Sequence, residues 1–170
     1  MSIVFEFKKD KAVAAVHYIA HEIQEISFEM LYSILYNADK IHLERYGRFI
    51  FGETYGATLN QVIPLNVVGL FLVKDNALSI ESGHVITRGK PDIDELSESD
   101  IKCLDKCICD YYINRDRLRN LGEEWIKARE RAKGQRLEDI LVEDIVAMFP
   151  DSQDLLDYLK GIDKIERIWE

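Results

Sequence analysis

The sequence predicts an α+β fold: a mainly helical single domain with a small antiparallel β-hairpin or three-stranded sheet. Apolar residues recur at three- and four-residue steps along most of the chain, which is the helical period. Ser82-Gly83, between two short β-rich runs, gives one tight hairpin signal. No glycine-rich turn joins a strand to a helix, so there is no sign of a βαβ unit or of a nucleotide-phosphate cradle.

The elements follow in order. Asp10 is placed to cap a first helix running to about Glu25, with Val13, Val16, Ala20 and Ile23 inward. Ser27 caps a second helix, which ends at Tyr46 because Gly47 can take the left-handed conformation. Arg48 to Phe51 reads as a short strand, and Ala77 to Glu81 with His84 to Thr87 as the hairpin. Pro64 to Val73 fits either a helix opened by its proline or a buried β-branched strand.

Ser97 and Asp100 form a capping-box-like pair, opening a helix whose apolar face is Ile101, Leu104, Ile108 and Tyr112. Leu118, Leu121, Trp125 and Ala128 predict one further helix from about Asn114 to Gly134. Leu137 to Met148 reads as a short helix closed by Pro150, Ser152 to Lys160 as the last helix, and Ile162 to Glu170 as a tail. The expected organisation is a body over residues 1–150, with an acidic C-terminal helix and tail over 151–170 packed on it or extending from it.

The second helix carries the unusual residues. Phe28, Leu31, Leu35, Asp39, His42 and Tyr46 form one stripe, so a carboxylate and an imidazole occupy positions that should face the core. An unpartnered polar group there costs roughly 2 to 7 kcal/mol, so each needs a hydrogen bond, and at this spacing Asp39 and His42 could share one. An acid-base site would also need a nucleophile, metal or cofactor, and the sequence displays none. The expectation is a structural network that fixes the helix against the following strand.

Other polar groups fit ordinary roles. His17 and His21 are four apart, but Tyr18 stands where a metalloprotease helix has its glutamate, and two ligands do not complete a zinc site. Cys103, Cys107 and Cys109 splay around one helix and cannot converge on a tetrahedral metal. No metal or cofactor is expected. The longest apolar run, Ile63 to Val73, is far short of the ~20 residues of a membrane span, and the N-terminal lysines follow the apolar residues instead of preceding them. A cytoplasmic protein without a membrane partner is expected.

Charge separates the halves. Residues 1–91 hold 9 Lys+Arg against 10 Asp+Glu, and residues 92–170 hold 13 against 21. Within the latter, Asn114 to Arg136 is net +4 and Leu137 to Glu170 is net −7. The basic run reads as a solvated helical face with i,i+4 pairing, and a chain of net charge −9 is a poor general binder of nucleic acid. The acidic end interleaves carboxylates with Leu155, Leu156, Tyr158, Leu159, Ile162, Ile165, Ile168 and Trp169, a composition suited to a basic protein surface.

The string NADKIHLERYGRFIFGETYGA, ending at Ala57, resembles the signature of the Panacea domain, the SocA-like antitoxin family. LSESDIKCLDKC, Leu96 to Cys107, resembles the family's serine-rich entry to a long helix. The similarity spans about residues 10–147 and favours the helical reading of Pro64 to Val73. Where the family has a Gly-Pro-Val-Pro turn, this chain reads Gln61-Val62-Ile63-Pro64. Asp39, His42, Tyr46, Gly47, Arg48, Gly52, Tyr55 and Pro64 carry the resemblance, which gives them a structural or partner-contacting role.

The resemblance implies a non-enzymatic antitoxin of a toxin-antitoxin pair that neutralises a cognate protein toxin by direct binding. An alternative within the family is an adaptor that delivers the toxin to a protease. Candidate toxin contacts are Tyr158, Trp169 and the segment Arg48 to Pro64. Two readings from other classes are a metal-assisted hydrolase built on His17, His21, Asp39 and His42, and a nucleic-acid-binding regulator using Arg115 to Arg136.

Overall fold

The computed structural model describes residues 2–71 and 78–169. They form an α+β, mainly helical fold with two small three-stranded antiparallel sheets. Among the described residues no helix is long and apolar enough to cross a membrane.

Helix α1 spans Lys9–Glu22, and its N-cap is Lys8, not Asp10. The Lys8 N–H is held by the Phe51 carbonyl at 2.8 Å, which keeps Lys8 extended and starts the helix early. Asp10 falls in the first turn, where its charge complements the helix dipole. The inner face is Ala12, Ala15, Val16, Ile19 and Ala20, and Val13 is half-buried. Strand β1 (Ile26–Ser27), unforeseen in the sequence, leads into α2 (Phe28–Tyr46). As expected, the Ser27 side chain caps α2 by accepting from Met30 N, and Gly47 closes it at φ 72°.

Arg48 to Phe51 is not a strand. Phe49, Ile50 and Phe51 are buried consecutively, and side chains together with the Lys8 N–H, rather than a neighbouring strand, bond this strap's backbone. The strand comes later, at β2 (Tyr55–Ala57), the centre of a sheet ordered β3-β2-β6. Strand β3 (Val62–Pro64) sets Pro64 opposite Tyr55, an edge position that tolerates the missing N–H. Helix α3 (Leu65–Leu70) follows, while Leu72 and Val73 lie outside the described residues. The hairpin forms as β4 (Leu78–Glu81) and β5 (His84–Thr87), with Ala77 outside the described residues. Strand β5 pairs with β1 to complete the order β1-β5-β4.

The Ser97/Asp100 capping box opens α4 (Glu98–Ile113). Its core face is turned toward Cys103 and Cys107, which are buried beside Leu104 and Ile108, leaving Tyr112 exposed. The helix expected from Asn114 is two pieces, α5 (Arg115–Arg119) and α6 (Glu123–Ala132), parted by an extended Gly122. That break lets Glu124 reach inward to the Tyr36 hydroxyl at 2.8 Å. Leu137 to Met148 is also divided. Glu138–Asp139 forms β6 on the open edge of β2, and only Val142–Val146 is helical, as α7. The expected last helix and tail are one helix, α8 (Ser152–Trp169), because the apolar spacing continues through Gly161.

Helix α2 is the spine between two apolar clusters. Leu31, Ile34, Leu35 and Ala38 belong to one with α1 and α4, while Tyr36 and Leu43 belong to the other with Phe49, Tyr55, α7 and Leu159 of α8. Burying such side chains is worth about 1.5–3 kcal/mol each. The strap crosses from one cluster to the other, since Phe49 serves the second and Ile50 and Phe51 the first.

Candidate functional site

The resemblance-bearing residues gather where α2 ends and the strap folds back on it. Asp39, fully buried, accepts from Ile50 N at 2.6 Å and from the Tyr55 hydroxyl at 2.5 Å. Burial pushes its carboxyl up to about 7, against the two donors that favour ionisation. Asp39 and His42 do not share a hydrogen bond. His42 turns to the other end of the strap, where Nδ1 donates to the Arg48 carbonyl at 2.8 Å. Its Nε2 lies 3.0 Å from Ser99 Oγ and 3.1 Å from Asp100 Oδ1. Buried, with both ring nitrogens engaged, His42 has no face open to a substrate.

Asp100 is the hub that sequence reading missed. It caps α4 by accepting from Ser97 N at 2.8 Å, and it also accepts from Lys11 Nζ at 2.7 Å and Arg48 at 3.3 Å. Burial raises its carboxyl, but the hydrogen bonds from His42, Lys11 and Ser97 outweigh that and hold it well below the usual carboxylate range. One carboxylate thereby ties α1, α2, the strap and α4 together. A capping-box residue looks the same in sequence whether or not it does more, so no local signal marked it.

Glu53 was also unforeseen. It accepts from Thr54 N, Asn66 N, Asn66 Nδ2 and Val67 N at 2.7–2.9 Å, capping α3 from a distance. Burial raises its carboxyl despite these donors. The preceding Gly52 sits at φ 74°, and a Cβ there would come within 1.9 Å of the Glu6 carbonyl oxygen, so only glycine fits.

Tyr46 departs from the expected core stripe. It is 45% exposed, its ring 4.7 Å from that of His42. Arg48 spans surface and interior, donating to the Phe49 and Ile50 carbonyls as well as to Asp100. Across the cap, the ring of Tyr158 lies over Gly47, where a Cβ would meet it at 3.1 Å. Tyr158 is 57% exposed and Trp169 85%, so both candidate contacts reach solvent, the first from on top of the motif and the second from the far end of α8.

The alternative sites do not assemble. Among the described residues no three His, Cys, Asp or Glu side chains could hold a metal ion, so His17 and His21 do not join Asp39 and His42. Burial pushes the Cys107 thiol up to about 12 and also raises Cys103, which disfavours the thiolate. The basic run is a solvated face, with Arg115, Arg117, Arg119, Lys127, Lys133 and Arg136 exposed, but among the described residues none of its ion pairs is i,i+4. Arg129 donates to the Ala57, Gln135 and Arg136 carbonyls, Arg131 and Lys127 engage Asp144, and Arg119 pairs with Glu29. Beyond the break in the helix Arg129 and Arg131 are turned toward β2 and α7, whereas Arg119, before it, is turned toward α2.

In comparisons with known proteins, no protein-family model, no curated protein and no solved structure matches this chain.

Proposed function

We propose that this chain is an antitoxin that neutralises a cognate protein toxin by covering it. The resemblance of Leu35 to Ala57 and Leu96 to Cys107 to the Panacea domain is the source of the reading. The supporting structural observation is the contact between Gly47 and Tyr158, which seats an exposed aromatic of α8 directly on the signature segment. Asp39 and His42 of the signature are turned inward and spent on holding the strap, which suits a binding body better than an open catalytic centre. Exposed aromatics on a rigid platform are the residues that most often dominate protein interfaces.

The test is expression of each open reading frame adjacent to this gene, alone and together with it. A frame that arrests growth alone and is harmless in the pair supports the proposal. If no neighbour is toxic, or if toxicity persists in the pair, the proposal falls.

A further inference from the structure

We propose that the outer face of α8 is a docking surface for a basic amphipathic helix of a partner protein. That the partner is the toxin rests on the antitoxin reading, whereas the chemistry of the surface does not. The first half of α8 is anchored, with Leu159 buried and Leu155 and Leu156 packed against the second cluster. Beyond Gly161 the apolar side chains continue without cover, and Ile165, Ile168 and Trp169 are 58%, 76% and 85% exposed. Tyr158, Ile165 and Trp169 fall on one face at helical spacing, so the stripe runs from the Gly47 cap to the end of the helix. A straight apolar ridge of this kind is matched by another helix laid along it.

Charge selects among possible occupants. Asp154 and Asp157 are exposed beside the start of the stripe, with Asp151 just before the helix, and none of the three has an ion-pair partner among the described residues. By contrast, Asp144 and Asp163 are engaged by basic side chains. A second copy would bring together two chains of net charge −9, and an anionic lipid surface would be repelled in the same way. Lys160 and Lys164 are exposed farther along α8, so the acidic flank is confined to its first half. A helix that sets lysine or arginine against Asp151, Asp154 and Asp157 while its apolar seam covers Ile165 and Trp169 meets both features of the surface.

The experiment measures fluorescence anisotropy of labelled synthetic peptides mixed with the whole chain. One peptide has leucines at three- and four-residue spacing with lysines elsewhere. A second has the same composition with the leucines scrambled, and a third has glutamate in place of lysine. The first should bind at least about tenfold more tightly than the others, more weakly as salt rises, and about tenfold more weakly to Ile165→Ser and Trp169→Ser proteins whose unfolding midpoints are unchanged. Equal binding of the scrambled peptide, or undiminished binding to both variants, overturns the proposal. So does a dimer in sedimentation that Ile165→Ser dissociates, since the occupant is then a second copy. Co-expression separates the two readings. Peptide binding without rescue from any adjacent gene product removes the antitoxin and keeps the surface, while rescue by variants that have lost the peptide keeps the antitoxin and removes α8 as its contact.

Discussion

The Asp39 carboxylate accepts the Tyr55 hydroxyl at 2.5 Å, and both residues are buried, so the last turns of α2 and the first residue of β2 are joined across the strap. The same carboxylate takes Ile50 N, which would otherwise be an unpaired donor in the core. Asp39→Ala therefore leaves two buried donors without an acceptor and should lower stability by about 3 kcal/mol, while Asp39→Asn, which retains one acceptor oxygen, should cost less. Urea unfolding of both variants checks the order. If Asp39→Ala unfolds within about 0.5 kcal/mol of the parent, the bonds do not hold the strap.

The two buried carboxyls predict opposite pH dependences. Asp39 is raised in the folded protein to about 7 from an ordinary 3.8, so the folded state holds its proton where the unfolded chain has released it. Its contribution is fully present below about pH 4 and is lost as pH rises toward 7. Asp100 is lowered, so its contribution is present above about pH 4 and is lost as pH falls through its folded value. Glu53, raised by burial, adds to the first trend. Stability measured against pH should therefore decline between about pH 4 and 7 by an amount that shrinks in Asp39→Asn, and should fall again in acid by an amount that shrinks in Asp100→Asn. An unchanged pH profile for either variant counts against its assignment.

The distinction between local and distant signals explains what was legible in the sequence. The Ser27 cap, the Gly47 terminator, the Ser97/Asp100 box and the β4–β5 hairpin are each settled within a few residues, and each forms as read. The strap, β6 and the break at Gly122 are settled by partners far along the chain. Ile50 N bonds a side chain of α2, Ile140 N bonds the Tyr55 carbonyl, and Glu124 answers Tyr36. The polar seam showed that Asp39 and His42 need partners, but spacing suggested each other instead of the strap. Asp100 and Glu53 look like surface carboxylates in sequence and acquire their roles only when α1, α3 and the strap arrive.

Glycine substitutions rank by what a Cβ would meet. At Gly52 a methyl group collides with the Glu6 backbone as well as adopting positive φ, so Gly52→Ala should cost about 3 kcal/mol or more. At Gly47 the positive φ is similar, but the obstacle is the movable ring of Tyr158, and about 1–2 kcal/mol is expected. Gly134, at φ 87° with open space around it, should show the conformational cost alone, about 1 kcal/mol. Thermal unfolding of the three variants should give that order. Equal destabilisation at Gly52 and Gly134 would show that the Glu6 segment yields to the added methyl.

Tyr158 and Trp169 should separate packing from binding. Tyr158 covers Gly47, so Tyr158→Ala removes a contact within the fold and should lower stability by about 1 kcal/mol in addition to any effect on a partner. Trp169 is almost wholly in solvent, so Trp169→Ala should leave the unfolding free energy within about 0.5 kcal/mol of the parent. A side chain that contributes nothing to its own fold can still anchor a complex, because desolvating an indole at an interface is worth 2 kcal/mol or more in favourable cases, about a thirtyfold change in affinity. Trp169→Ala should therefore preserve stability and weaken rescue of toxin-expressing cells. Full rescue by a stably folded Trp169→Ala chain would move the contact surface from the end of α8 back to Tyr46, Arg48 and the strap.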